Sequence, residues 1–260
     1  MTNTPATPQT LPPHAQLVQM VTAAVVSKVI YTAARLGLAD RLADGPATAA
    51  ELAGVTGTHA PSLHRLMRTL AGLGLLTHAD GDRFALTPLG AALRSDAPGA
   101  AYASVLTLGG PAFSQAFDRL EHSLQTGQTG FEAAFGMPIF DYLGQHPEEA
   151  RLFGETMIGF HGAEPPAVAE AYDFSSFGTI CDVGGGTGNL LGTILARHPT
   201  PRGILFDLPH VAQEAPTVLA ERGSRTGSRW SRATSSRPSP PAPTATSCRT
   251  SSMTGPRSSA

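Results

Sequence analysis

The chain has 260 residues, 41% of them hydrophobic, with 20 acids against 18 lysines and arginines and only two cysteines. That length allows one large or two modest domains with a real core, and the distant, unpatterned Cys181 and Cys248 argue against a disulfide framework and fit a reducing cytoplasm. The net charge of −2 hides an asymmetry: residues 222–260 carry seven arginines and no acid, which leaves −9 on residues 1–221, a poor surface for a polyanion such as nucleic acid.

Residues 1–13 are rich in Pro and Thr and are expected to be disordered. They show no basic segment followed by an apolar one, so no signal peptide is expected. The longest apolar run is too short to span a bilayer, so no membrane partner is expected either. From His14 to Leu38 the pattern is helical, with Leu17, Met20, Val21, Ala24, Val25 and Val29 on one face. Thr48 suits the cap of a short helix, with Glu51 at the capping-box position. Pro61 suits the first turn of the next helix, where Leu63, Leu66, Met67, Leu70 and Leu73 recur at helical spacing. "LLTHADGDRFALTPLG" then alternates about Asp80–Gly81–Asp82 and predicts a β-hairpin. Three helices and a hairpin make a winged-helix order over residues 14–98. A DNA-binding regulator is therefore a rival reading, with Arg65, Arg68, His59 and His64 as its few contacts.

Residues 99–171 read as mostly helical, with Phe113, Phe117, Leu120 and Leu124 at spacings of three and four. Phe131, Phe135, Met137, Phe140, Phe153, Met157 and Phe160 form an aromatic and Met-rich group. It serves either as helix core or as the wall of a pocket for a flat ligand, with Phe153, Met157 and Phe160 as the candidate substrate contacts. An α/β rhythm follows: strand Thr179–Val183, helix Asn189–His198, strand Gly203–Phe206, helix Val211–Glu221. That order implies a parallel sheet with right-handed crossovers, a Rossmann-like domain over residues 172–223.

Between the first strand and its helix lies "DVGGGTGNL". A glycine-rich turn here lets a ligand approach the main chain and a helix N-terminus. A nucleoside-triphosphate loop needs Gly-Lys-Ser/Thr, and the chain has one lysine, Lys28. The dinucleotide pattern fails at its third glycine, which is Asn189. The S-adenosylmethionine pattern, acid-x-Gly-x-Gly-x-Gly, is met by Asp182, Gly184, Gly186 and Gly188, with Gly185 between. Asp207 ends the next strand 19 residues past Gly188, where a carboxylate can accept from both ribose hydroxyls or, alternatively, cap a helix.

"DVGGGTGNLLGTILARHPTPRGILFDLPHV", after a winged-helix N-terminus, resembles the caffeate-type and actinobacterial small-molecule O-methyltransferases, over roughly Leu11 to Gly223. The resemblance implies a winged-helix dimerisation domain (14–98), a helical pocket region (99–171) and a class I methyltransferase domain (172–223). It implies S-adenosylmethionine as cofactor, no metal, an aromatic hydroxyl as acceptor and a homodimer. It also implies that Asp182 and the loop hold the methionine part, that Asp207 holds the ribose, and that Arg151 lies near the cofactor's carboxylate. As a bare residue, Arg151 reads first as a surface helix charge.

The tail departs from that family. Residues 224–260 contain no Leu, Ile, Val, Phe, Tyr, Asp, Glu or Lys. They are expected to be disordered, with neither a third strand nor the histidine base that removes the acceptor proton. A one-base shift of frame explains the change. The AC of Thr234 and the TC of Ser235 and Ser236 let "ATSSR" conceal G-D-F-F-E. The AT of Met253 completes a codon for Asn, Asp, His or Tyr, so "TSSMTGP" can conceal H-I-V-H-D-W-P, with Met253 where the base histidine belongs. The two concealed aspartates, at 234 and 254, are 20 positions apart, the family's interval. A single-base deletion near Gly223, or a sequencing error with that effect, is therefore expected, leaving a chain with no catalytic residue.

Overall fold

A computed structural model describes residues 11–99, 101–213, 215–221 and 230–234. The chain divides into two compact units, Met1–Pro138 and Ile139–Ala260. The division falls inside the 99–171 segment, not at its ends.

The first unit opens with helix α1 (Pro13–Arg35), entered through Pro12 and Pro13. Its C-terminal half buries Ala33 and Ala34 against the core, while Leu17, Val18, Met20, Val21 and Val25 are all more than 60% exposed. At 23 residues and a mean hydropathy of 1.5 over its most apolar window, α1 is long and apolar enough to cross a membrane by length and composition. The alanines and valines of this helix raise the average without forming a long uninterrupted run. Lys28 lies within that helix and donates to the Gly109 carbonyl at 2.8 Å and to Ser114 Oγ.

Helix α2 (Leu38–Arg41), strand β1 (Ala47–Thr48), helices α3 (Ala49–Thr56) and α4 (Ala60–Gly72), strands β2 (Leu76–Ala79) and β3 (Arg83–Leu86) and helix α5 (Pro88–Ala91) complete the winged-helix order. The hairpin forms as expected, with Asp82 at φ 58° in its turn. The strand order β1-β3-β2 adds a short antiparallel partner that the sequence did not signal. Leu38, Leu52, Leu63, Met67, Leu70, Leu76 and Phe84 share one buried core.

The capping box at α3 is complete: Glu51 N–H donates to Thr48 Oγ1 at 3.2 Å and Thr48 N–H donates to Glu51 Oε2 at 2.7 Å. Thr48 Oγ1 also donates to Glu51 Oε2 at 3.0 Å, and the two bonds that the carboxylate accepts from Thr48, main chain first, hold the Glu51 carboxyl below its ordinary pKa. Arg83 reaches from β3 to Glu51 Oε1 at 2.8 Å, so the cap also ties helix to hairpin. Thr48→Ala is expected to cost about 1 kcal/mol, read as a lower urea midpoint at unchanged m-value.

Helices α6 (Ala101–Leu108), α7 (Pro111–Phe117), α8 (Leu120–Thr126) and α9 (Gly130–Phe135) finish this unit. The 3–4 spacing over 113–124 is split between α7 and α8, and Phe117, Leu120 and Leu124 are exposed.

The second unit begins with helices α10 (Ile139–Gln145), α11 (Pro147–Phe160) and α12 (Glu164–Ala171). Strand β4 (Thr179–Val183), helix α13 (Asn189–Arg197), strand β5 (Arg202–Asp207), helix α14 (Ala215–Glu221) and strand β6 (Trp230–Thr234) follow. The sheet is parallel, in the order β4-β5-β6. Leu191 and Leu195 of α13, Leu205 of β5 and Leu219 of α14 are fully buried against one another, with Ile180 beside them. Residues 208–213 form turns, so the last helix starts at Ala215 and not at Val211, and Asp207 caps no helix.

Strand β6 corrects the expectation that the tail forms no strand. Its main chain pairs with β5 from Gly203↔Trp230 to Asp207↔Thr234. A ladder is built from N–H and C=O groups, which every non-proline residue carries, so poverty in aliphatic side chains does not forbid one. Residues 1–10 and the rest of the tail, including Met253, lie outside the described residues.

Candidate functional site

The turn after β4 is shaped by its glycines. Gly184, Gly186 and Gly188 adopt φ of 72°, 61° and 82°, the left-handed region that side-chain-bearing residues avoid. Three hydrogen bonds hold it: Gly184 N–H to Phe206 O at 2.8 Å, Gly186 N–H to Asp207 Oδ2 at 2.7 Å and Gly188 N–H to Gly185 O at 2.9 Å. Gly188 then caps α13, whose N-terminal end carries the positive pole of the helix dipole.

Both strand-end acids meet at this turn. Asp207 Oδ1 also accepts from Leu208 N–H at 2.6 Å, so this carboxylate spans the end of β5 and the glycine turn. Asp182 is buried. Burial first, and then the Asp207 charge, push its pKa above the ordinary carboxylate value, partly offset by the Leu191 N–H.

The surroundings fit a small polar ligand. A methyl group added at Gly184 or Gly186 would meet no atom within 4 Å, so the main chain there borders open space. Among the described residues of this unit, three buried polar atoms lack protein partners: Asp182 Oδ2, Asn189 Oδ1 and His210 Nε2. Asn189 and His210 were not singled out from sequence. A polar residue at the first position of α13 and a histidine three residues after Asp207 were the available signals. His210 packs on α10, where a methyl group at Gly144 would come 3.4 Å from its Cε1.

Four further candidates, Arg151, Phe153, Met157 and Phe160, lie on α11. Arg151 lies on the exposed face of α11 in an i, i+4 ion pair with Glu155. This is the surface-charge alternative. Phe153, Met157 and Phe160 follow one face of α11; Phe153 packs edge-on to Phe140 with centroids 6.2 Å apart, and Phe160 is exposed. Phe131 and Phe135 of α9 pair with ring centroids 4.7 Å apart. The polar face of α4 is engaged within its own unit: His64 Nε2 is 3.1 Å from Asp82 Oδ1, and Arg65 and His59 both bond Ser62.

Comparison with known proteins agrees with this geometry. The O-methyltransferase dimerisation domain matches residues 18–96, and the O-methyltransferase domain matches residues 117–232. The phenazine O-methyltransferase PhzM of Lysobacter antibioticus is 45% identical over 207 residues, which is 80% of this chain and 60% of that protein. The chain thus spans about three fifths of the length of this relative. The crystal structure of LaPhzM superposes with a TM-score of 0.77 at 43% identity, covering 86% of this chain and 67% of that one. NcsB1 of neocarzinostatin biosynthesis, solved with S-adenosylmethionine and 2-hydroxy-5-methyl naphthoic acid, has a TM-score of 0.69 at 32% identity, covering 81% of this chain and 65% of that one. With its dimerisation and methyltransferase domains in order and a glycine turn between two strand-end acids, the chain belongs to the O-methyltransferase family.

Proposed function

We propose that the second unit holds S-adenosylmethionine and that the enzyme it belongs to methylates a hydroxyl of an aromatic small molecule. The observation that carries this is the open left-handed turn at Gly184–Gly188 bonded to the Asp207 carboxylate. The main chain of Gly184, Gly185, Gly186 and Gly188 offers close approach and N–H groups to the methionine part, with Asp182 beneath it. Asp207 accepts from the ribose hydroxyls. When bound, the cofactor supplies a methyl group already activated on a sulfonium. The chain's own task is then to orient the two reactants, a contribution worth several kcal/mol in well-aligned sites. Phe153, Met157 and Phe160 offer a flat apolar wall for an aromatic acceptor. Arg151 is within this proposal only if its Glu155 pair exchanges for the cofactor's carboxylate.

The base that takes the acceptor proton belongs to the segment we infer to be out of frame, where Met253 stands. We further infer a homodimer in the cytoplasm, formed through the first unit, because the exposed stripe of α1 is the kind of apolar surface that a second copy covers.

Asp207→Ala removes the turn's anchor and the ribose acceptor together. It is expected to weaken S-adenosylhomocysteine binding at least about tenfold, since hydrogen bonds to charged groups contribute roughly 1.5–3 kcal/mol. Calorimetric titration decides it, and equal affinity in parent and variant removes Asp207 from the site.

A further inference from the structure

The two acids beside the glycine turn are not equivalent. Asp207 is half-buried and bonds two N–H groups at the rim of the turn. Asp182 is 7% exposed and lies under the turn. A methyl group at Gly185 would come within 2.5 Å of both the Asp182 carboxyl carbon and Oδ2, and within 2.6 Å of Leu205 Cδ1. The carboxyl is thus packed directly against the main chain of Gly185, with Leu205 beside it. Its Oδ2 is sealed from solvent and has no protein partner. An atom that water cannot touch is also out of reach of a ligand arriving through water, unless the turn lifts.

We propose that Asp182 is a positioning residue whose carboxyl wedges the Gly184–Gly188 turn from beneath, and that Asp207 is the acid a ligand touches. The proposal rests on the reading of this turn as a cofactor site and assigns its two acids different work. It also accounts for Gly185, the one glycine of the turn whose φ is ordinary. There a side chain is excluded by the carboxyl below and not by backbone conformation.

A carboxylate in this position is costly when ionised, because it is desolvated and incompletely hydrogen-bonded. The charged group facing it, among the described residues, is Asp207 on β5; α13 contributes the Leu191 N–H. Both burial and Asp207 raise its pKa, so the folded chain holds this proton more tightly than the unfolded chain. Stability contributed at Asp182 is therefore present at low pH. It is lost as pH rises from the ordinary carboxylate value through the raised one.

The test uses the full chain without ligand, melted between pH 4 and 8, and then titrated with S-adenosylhomocysteine at pH 8. Part of the parent's melting temperature is expected to fall as pH rises, and Asp182→Asn, which keeps the wedge and removes the proton, flattens that part. Asp182→Asn is expected to bind no more than about threefold more weakly, against at least about tenfold for Asp207→Ala. Gly185→Ala collides with the wedge and lowers the melting temperature. Adding Asp182→Ala to it recovers part of that loss, a coupling that only residues in contact show. The proposal is overturned if Asp182→Asn loses tenfold in affinity at an unchanged melting temperature, or if the double variant melts no higher than Gly185→Ala alone. A parent chain that does not bind S-adenosylhomocysteine overturns the cofactor reading instead, while the melting data still decide the wedge.

Discussion

Restoring one base near Gly223 is expected to turn a chain without detectable methyl transfer into a working enzyme. The as-written residues 224–260 contain no acid and no histidine, so they offer no general base. A positioned base contributes about 10²–10⁴-fold to a proton-transfer step. The register of β6 shows where the concealed aspartate would fall. Thr234, where that frame conceals an aspartate, is the backbone partner of Asp207, at the strand ends where open α/β sheets place ligands. Both versions would be given S-adenosylmethionine and a panel of phenolic acceptors, with products read by mass spectrometry. Turnover by the as-written polypeptide, or a verified gene with no one-base neighbour encoding the two concealed motifs, would sink the frame argument.

Phe84→Ala is expected to have the largest effect on stability of any single truncation in the first unit, roughly 3–5 kcal/mol. Phe84 has no exposed surface and lies on β3 between two partners. His78 is its cross-strand neighbour in the hairpin, with ring centroids 4.7 Å apart, and His64 of α4 meets it edge-on at 5.6 Å. On the same strand its backbone also pairs with Ala47. Removing the ring therefore loosens hairpin, helix and the short β1 strand together, and leaves a cavity that this set of rigid neighbours cannot close. A domain is typically stable by 5–15 kcal/mol, so such a loss would also weaken any dimer built on this unit. Urea unfolding of the first unit checks it; a loss below about 1 kcal/mol would show that the hairpin repacks.

Much of the local structure was legible because its causes are local. Strand Thr179–Val183 forms with the predicted bounds, and α13 ends one residue before the predicted His198. The capping box at Thr48 and Glu51 and the turn at Asp80–Gly81–Asp82 likewise depend on residues a few positions apart. The failures are of another kind. Strand β1 exists because β3 passes beside it, and β6 because β5 does.

Spacing alone, from Asp182 through Gly188 to Asp207, was enough to single out S-adenosylmethionine among phosphate-bearing and sulfonium ligands, because backbone conformation and chain distance follow from residue type and count. Which way each acid faces was settled only by packing. Asp182 and Asp207 stand at corresponding ends of neighbouring strands, but the first is closed in by Gly185 and Leu205 and the second lies at the rim, bonded to the Gly186 and Leu208 N–H groups. No periodicity in the chain distinguishes a carboxyl beneath a turn from one beside it; that difference comes from atoms brought together across the fold.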